Sequence, residues 1–181
     1  MKSTSSITRL AAVLTVLGVA MSVPISGTVG ASAAEDRERR LAFHAVIHGN
    51  ANPFPIDPCT LGNHEAGSGR AVHLGVITWS SDETAQFLSC SPPSPPGPAI
   101  AVSGQFIIVA ANGDEIHGTY QTTGTFDPVN GVSVHGGYTF VSGTGRFSTV
   151  TGSGVIVAHG AASPPFDFVA SLDGTIKYDR L

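Results

Sequence analysis

Glu115 and His117 are the pair of residues in this sequence whose types and spacing best suit catalysis. On a β-strand, residues i and i+2 share a face and lie about 7 Å apart. A carboxyl group and an imidazole at that separation suit an acid and a base on opposite sides of a small substrate. The alternative is a solvated strand face, on which both residues only contact water. Tyr138 is a third candidate, as a polar anchor for the same substrate.

The seven histidines show no pattern typical of a metal site. His44 and His48 share a strand face but lie about 13 Å apart, too far for one metal ion. The chain also lacks the G-x-S-x-G motif of serine hydrolases and a glycine-rich dinucleotide motif in a strand–turn–helix setting. We therefore expect a protein without metal or organic cofactor.

The two catalytic candidates lie on the second strand of a predicted hairpin. Asn112-Gly113 between two β-rich runs, residues 103–110 and 114–123, predicts a type I′ turn. A two-residue loop pairs Ala111 with Asp114, and directly opposed residues share a face. This register predicts one apolar, buried face and one mixed face that either contacts solvent or lines a barrel lumen. The buried face would carry Ile107, Val109, Ile116 and Tyr120, and the mixed face Phe106, Ile108, Ala110, Glu115, His117 and Thr119.

The remaining chain has many strand signals and almost no helix signals. Polar, Pro- and Gly-rich stretches at residues 49–68 and 91–98 predict long loops. Seven or eight strands joined by short turns predict an all-β fold, either an antiparallel barrel or a sandwich. We favour a single eight-stranded barrel, closed or nearly closed, because closure leaves no exposed strand edge. The other predicted strands are residues 41–48, 69–79, 85–89, 132–141, 151–159 and 166–178.

The N-terminal 34 residues are typical of a secretory signal peptide. Lys2 and Arg9 precede an apolar run of 14 residues, Leu10 to Val23, and small residues follow up to Ala34. The run is shorter than the roughly 20 residues that a membrane-spanning helix needs. We therefore expect cleavage after Ala33 or Ala34, secretion, and one mature domain over residues 35–181. The alternative is a short retained membrane helix.

The charge of the mature chain argues against two classes of partner. Residues 35–181 keep seven basic and thirteen acidic side chains, a net charge of −6. Such a chain repels phosphate groups, so we expect neither nucleic acid nor a membrane as its partner.

The two cysteines, Cys59 and Cys90, each lie in a Pro-rich stretch. A pair of cysteines in an exported protein usually forms a disulfide. We predict a disulfide that joins two long loops. The alternative is a thiol pair with a redox or metal-binding role, although the chain has no C-x-x-C motif.

Residues 136–154 read Gly-Gly-Tyr-Thr-Phe-Val-Ser-Gly-Thr-Gly-Arg-Phe-Ser-Thr-Val-Thr-Gly-Ser-Gly. This segment resembles the G-G-T-G-x-F-x-x-x-x-G segment of the allene oxide cyclase and dirigent barrels, with Ser142 in place of the first glycine. The segments 69–75, 111–114 and 118–120 resemble secreted bacterial members of that superfamily. The resemblance implies an eight-stranded, often oligomeric barrel with an apolar lumen. In the plant enzymes the lumen guides a reactive intermediate to one stereoisomer.

Two functions remain open at this stage. The first is a secreted barrel that binds a small apolar molecule in its lumen and guides a cofactor-free cyclisation or isomerisation, with Glu115 and His117 as acid and base. The second is a non-enzymatic extracellular structural or interaction protein whose lumen is packed with side chains. The resemblance supports the fold, and it supports activity only by analogy.

Overall fold

A computed structural model describes residues 40–90 and 99–179 of the chain. The predicted signal peptide and the predicted loop at residues 91–98 lie outside the described residues. No helix in the described part is long and apolar enough to cross a membrane. The described residues form eight strands and one short 3₁₀ helix: β1 (Leu41–Asp57), β2 (Thr60–Ala71), β3 (Gly75–Phe87), β4 (Ala99–Ala110), β5 (Glu115–Asp127), β6 (Gly131–Gly143), the 3₁₀ helix (Gly145–Phe147), β7 (Thr151–Gly160) and β8 (Asp167–Lys177).

The eight strands form a closed antiparallel barrel, which confirms the predicted fold. Each strand pairs with the next along the chain, and β8 pairs with β1. Side chains alternate between the lumen and the outer surface, as the pleat of a strand requires. On β3, for example, Ile77, Trp79 and Ser81 are buried, whereas Thr78 and Ser80 between them are exposed.

The loop predicted over residues 49–68 is wrong, because these residues extend β1 and β2 into a long hairpin. The pairing of β1 with β8 ends at Asn50, and beyond it β1 pairs only with β2. Ala51 still donates its N–H to Phe166 on the β8 side. By alternation, Pro53 and Pro55 would direct their missing N–H groups to that side, where no strand is paired. Proline is therefore compatible with this part of the strand.

The predicted register of the β4–β5 hairpin is also wrong, by one residue. Ala110 pairs with Asp114 across a three-residue loop, and Gly113 adopts the left-handed conformation with φ of +85°. This is the three-residue hairpin loop with a glycine bulge, and not the two-residue type I′ turn. A one-residue shift exchanges the two faces of one strand relative to the other. Phe106, Ile108, Ala110, Ile116 and Tyr120 therefore share the lumen, and Ile107, Val109, Glu115 and His117 share the outer surface.

The barrel has a closed half and an open half. In the closed half, near the first residues of β1 and the last residues of β8, large side chains fill the lumen and the 3₁₀ helix covers the end with the fully buried Phe147. The open half lies at the other end, where β1, β3, β5 and β7 finish. The side chains that fill the closed half include Phe43, Ile47, Ile77, Ile108, Ile116, Phe140, Leu172 and Ile176.

A disulfide joins Cys59 to Cys90 at the end of the open half; the pairing is as predicted, but Cys59 lies in a tight turn and not in a long loop. Their Cα atoms lie 5.4 Å apart. Cys59 lies in the turn between β1 and β2, and Cys90 follows the end of β3. Cys59 also accepts a backbone hydrogen bond from Phe87, the last residue of β3. The disulfide therefore fixes the tip of the β1–β2 hairpin against β3, at the rim of the barrel.

Candidate functional site

The open half of the barrel contains a cavity of about 370 Å³. This volume is within the range of about 300–1,000 Å³ that is typical of small-molecule sites. The cavity extends from Trp79 and Tyr120 in the middle of the barrel to exposed residues at its rim. Most of its wall is apolar and includes Leu61, Ala85, Phe87, Ile100, Val102, Phe126, Val132, Val134, Ile156, Ala158, Phe168 and Ala170.

One side of this cavity is polar, and we call it the polar wall. It consists of Asn63 and Glu65 on β2, Trp79, Ser81 and Glu83 on β3, and Tyr120 and Thr122 on β5. All of them except Ser81 line the cavity directly, and Ser81 contacts Glu65 from behind. The alternation of β2 and β3 explains the position of the two carboxyl groups, because Glu65 pairs with Ser81 and Glu83 pairs with Asn63 on the same inner face.

The Glu83 carboxylate is held by donors from two other strands. Asn63 Nδ2 donates to Oε1 over 2.8 Å, and the Tyr120 hydroxyl donates to Oε2. Tyr120 reaches across β4 at Gly104, where a Cβ atom would lie 2.7 Å from the tyrosine ring and 2.9 Å from Glu83 Cβ. The missing side chain of Gly104 therefore makes room for the hydrogen bond between β5 and β3.

The Glu65 carboxyl group has one oxygen in hydrogen bonds and one without. Ser81 Oγ donates to Oε2 over 2.7 Å, and Trp79 Nε1 donates to the same oxygen over 3.3 Å. No hydrogen bond joins Oε1 to the described residues. Burial, and next the charge of Glu83, raise the pKa of Glu65 from 4.5 to about 7. Glu65 therefore exchanges a proton near neutral pH, the range in which a general acid or base works best.

Two further polar atoms of this wall have no partner among the described residues. Asn63 Oδ1 and Thr122 Oγ1 are both buried and accept no hydrogen bond there. The exposed fractions of the two residues are 9% and 4%. A buried polar group without a partner costs about 1–3 kcal/mol, so native proteins rarely keep one without a reason. Both residues line the cavity, but each of the two atoms exposes less than 1 Å² and lies beneath the cavity surface.

Glu115 and His117 lie elsewhere, on the outer surface at the start of β5. His117 Nε2 lies 2.8 Å from Glu115 Oε2, so the strand does bring the two groups together. Their side chains are 39% and 40% exposed, and neither lines the cavity. Glu115 and His117 lie on the outer surface because the observed register of β4 and β5 differs by one residue from the predicted register.

Tyr138 does lie in the lumen, but on the closed side of the cavity. It is 2% exposed and packs against Phe43 and Phe140. Its hydroxyl has no hydrogen-bond partner among the described residues, and burial together with Asp173 raises its pKa. It does not line the cavity. The structure thus separates Tyr138 from the other two predicted site residues.

In residues 40–90 and 99–179, no group of three His, Cys, Asp or Glu side chains could hold a metal ion.

The sequence interpretation missed the polar wall. Asn63 and Glu65 fall in the segment predicted to be a loop, and Glu83 falls between two predicted strands. One signal was present: Ile77, Trp79, Ser81, Glu83, Ala85 and Phe87 alternate in one continuous period-2 series. Such a series places Glu83 on the same face as apolar residues and indicates a buried carboxyl group.

Comparisons with known proteins add no further assignment. No protein-family model, curated protein or solved structure matches this chain.

Proposed function

We propose that this chain is a secreted protein that binds a small, largely apolar molecule in the cavity of the open half. The cavity of about 370 Å³ carries this proposal, because its wall is largely apolar and its polar side includes a free carboxyl oxygen, Glu65 Oε1. The wall leaves hydrogen-bonding capacity that a ligand would use, and the apolar remainder of the cavity would hold its hydrocarbon part. The alternative of a lumen packed throughout with side chains describes the closed half only.

Binding can be tested with N-phenyl-1-naphthylamine, a neutral apolar dye that fluoresces in apolar sites. Trp79, the single tryptophan of the chain, lines the cavity and would transfer excitation energy to a bound dye. We expect saturable binding to the wild-type protein. Ala158→Phe would fill the cavity and weaken binding at least tenfold. Ala66→Phe, the same change on the exposed face of β2, would leave binding unchanged. Absence of saturable binding to the wild type, or equal binding by Ala158→Phe, would refute the proposal.

A second candidate function is cofactor-independent proton transfer, as in an isomerase. The observation that favours it is Glu65, whose pKa of about 7 suits a general base in an apolar cavity. As a base, the Glu65 carboxylate would take a proton from the α-carbon of a β,γ-unsaturated ketone and return it at the γ-carbon, so that the double bond moves into conjugation with the carbonyl group. The test is deuterium exchange at the α-carbons of 2-octanone in D₂O. We expect exchange with the wild type and none above background with Glu65→Gln, whereas no exchange with either protein would exclude this activity for simple ketones.

Secretion is proposed on the signal-like N-terminus together with the disulfide, since disulfides persist mainly in oxidising compartments. Mass spectrometry of the protein from the culture medium of a secreting host tests it. We expect a mature chain that begins at Ala34 or Glu35 and contains no free thiol. A full-length chain that stays with the cells would contradict the proposal.

A further inference from the structure

Among the described residues, two with a carboxyl side chain and none of lysine or arginine line the cavity. Among the residues that line it, the titratable ones are Glu65, Glu83, Tyr120 and, at the rim, His159. No described lysine or arginine lines the cavity, and no salt bridge in the described part of the chain involves either glutamate. A buried carboxylate without a cation is unfavourable, because burial removes water and supplies no opposite charge.

The hydrogen bonds of the polar wall leave one carboxyl oxygen free at the cavity surface. Glu83 uses both oxygens, and Glu65 uses only Oε2. Asn63 Oδ1 and Thr122 Oγ1 have no partner among the described residues, but each of these atoms exposes less than 1 Å². Glu65 Oε1 is therefore the free oxygen that a ligand in the cavity can reach, and in the ionised carboxylate it can only accept a hydrogen bond.

We infer that the ligand is a hydrophobic primary amine, whose ammonium group binds at the Glu65 carboxylate and whose hydrocarbon part fills the apolar cavity. This inference rests on the proposed binding function and specifies its ligand class. An ammonium group carries three donors, no acceptor and one positive charge. It supplies a donor to Glu65 Oε1 and matches the sign of the charge that the two carboxyl groups lack.

Other ligand classes satisfy the polar wall less well. A carboxylic acid would add a further negative charge beside two glutamates. A ketone only accepts hydrogen bonds, so it would leave Glu65 Oε1 without a partner. An alcohol provides a donor but no positive charge. The raised pKa of Glu65 agrees with the inference, because a cation beside this carboxyl group would favour the ionised form that burial disfavours.

The test compares three ligands that share one hydrocarbon chain: n-octylamine, 1-octanol and octanoate. Each would displace N-phenyl-1-naphthylamine from the wild-type protein at pH 8, where Glu65 is largely ionised and octylamine is protonated. We expect octylamine to bind at least tenfold more tightly than octanol, and octanoate to bind most weakly. Octanol binding as tightly as octylamine, or more tightly, would overturn the inference and leave the proposed binding function intact.

Variants separate the role of the carboxyl group from a general effect on the cavity. Glu65→Gln should weaken octylamine binding at least tenfold and change octanol binding less than threefold. Glu115→Gln, the same change on the outer surface, should alter neither. An equal loss for octylamine and octanol would mean a damaged cavity and no ammonium site. If none of the three compounds displaces the dye and the dye itself does not bind, the proposed function fails together with this inference.

Discussion

The closed and open halves of this barrel are built by the same strands but contain different chemistry. In the closed half, side chains such as Phe43 and Leu172 fill the lumen, and at most 2% of either residue is exposed. In the open half, smaller residues such as Ala85, Ala158 and Ala170 leave a cavity, and the polar wall introduces two carboxyl groups. The difference indicates that the closed half supplies most of the packing free energy. The open half can then keep groups that destabilise the fold and suit a ligand.

The largest effect should come from removing a ring in the closed half. Phe43 is 2% exposed and packs edge-to-face against Phe140, with ring centroids 5.1 Å apart. Phe43→Ala should lower the free energy of unfolding by about 3–5 kcal/mol, because the packed surroundings cannot close the new void. The matched variant is Phe126→Ala, which removes a ring beside the existing cavity and should cost about half as much. Chemical denaturation measures both values, and equal losses would mean that the two halves do not differ in packing.

Removing the disulfide should have the next largest effect, this time at the rim of the open half. Cys59 and Cys90 are separated by 31 positions, so their bond restricts a long loop in the unfolded chain. The Cys59→Ser, Cys90→Ser double variant should lose about 3–4 kcal/mol of unfolding free energy. A reducing agent should lower the stability of the wild type similarly and leave the double variant unaffected. A loss below about 1 kcal/mol would show that the strand pairing alone fixes this rim.

A pH-dependent effect should distinguish the polar wall from the outer surface. Glu65 ionises near its ordinary pKa of 4.5 in the unfolded chain and at about 7 in the folded protein, so the folded state binds more protons between these values. Wild-type stability should therefore contain a term that falls as pH rises from 4.5 to 7. Glu65→Gln removes this term and should be more stable than the wild type by up to about 3 kcal/mol at pH 8, with little difference at pH 4.

The control for this effect is Glu115→Gln, which makes the same chemical change at a 39% exposed side chain on the outer surface. Its difference from the wild type should stay within about 0.5 kcal/mol, as is usual for surface substitutions. Denaturation curves at pH 4, 6 and 8 for all three proteins measure the effect. A Glu65→Gln variant that is less stable than the wild type at pH 8 would contradict the assigned cost of burying this carboxylate.

The sequence was sufficient to predict the fold and the disulfide, because both depend on patterns that the chain shows locally. Strand composition, turn residues and the near absence of helix signals indicate an antiparallel barrel without any knowledge of register. Pairing Cys59 with Cys90 needs only the count of two cysteines and an oxidising compartment. The resemblance to allene oxide cyclase and dirigent barrels stays a prediction.

The site was not predictable in the same way, because it depends on register and on strand boundaries. The prediction left the face of Glu115 and His117 open between the lumen and solvent, and the extra residue in the β4–β5 loop places both on the outer surface, opposite the face of Phe106 and Ile108. Pro53 and Pro55 indicate a loop by composition, yet they fit a strand that is paired on one side only. The polar wall combines β2, β3 and β5, and a single sequence does not show that these strands lie around one cavity.

The smallest predicted effect concerns Gly104, which permits the hydrogen bond between Tyr120 and Glu83. A Cβ atom there would lie 2.7 Å from Tyr120 Cζ and 2.9 Å from Glu83 Cβ, so at least one of the two side chains must move. Gly104→Ala should lower the free energy of unfolding by about 1–3 kcal/mol and change the fluorescence of Trp79, whose ring centroid lies 6.4 Å from that of Tyr120. The matched variant is Gly137→Ala on β6, where the nearest atom to a new Cβ is 3.8 Å away and no loss is expected. If both alanine variants behave alike, the neighbouring side chains adjust to the new Cβ atom, and the close approach at Gly104 does not position the polar wall.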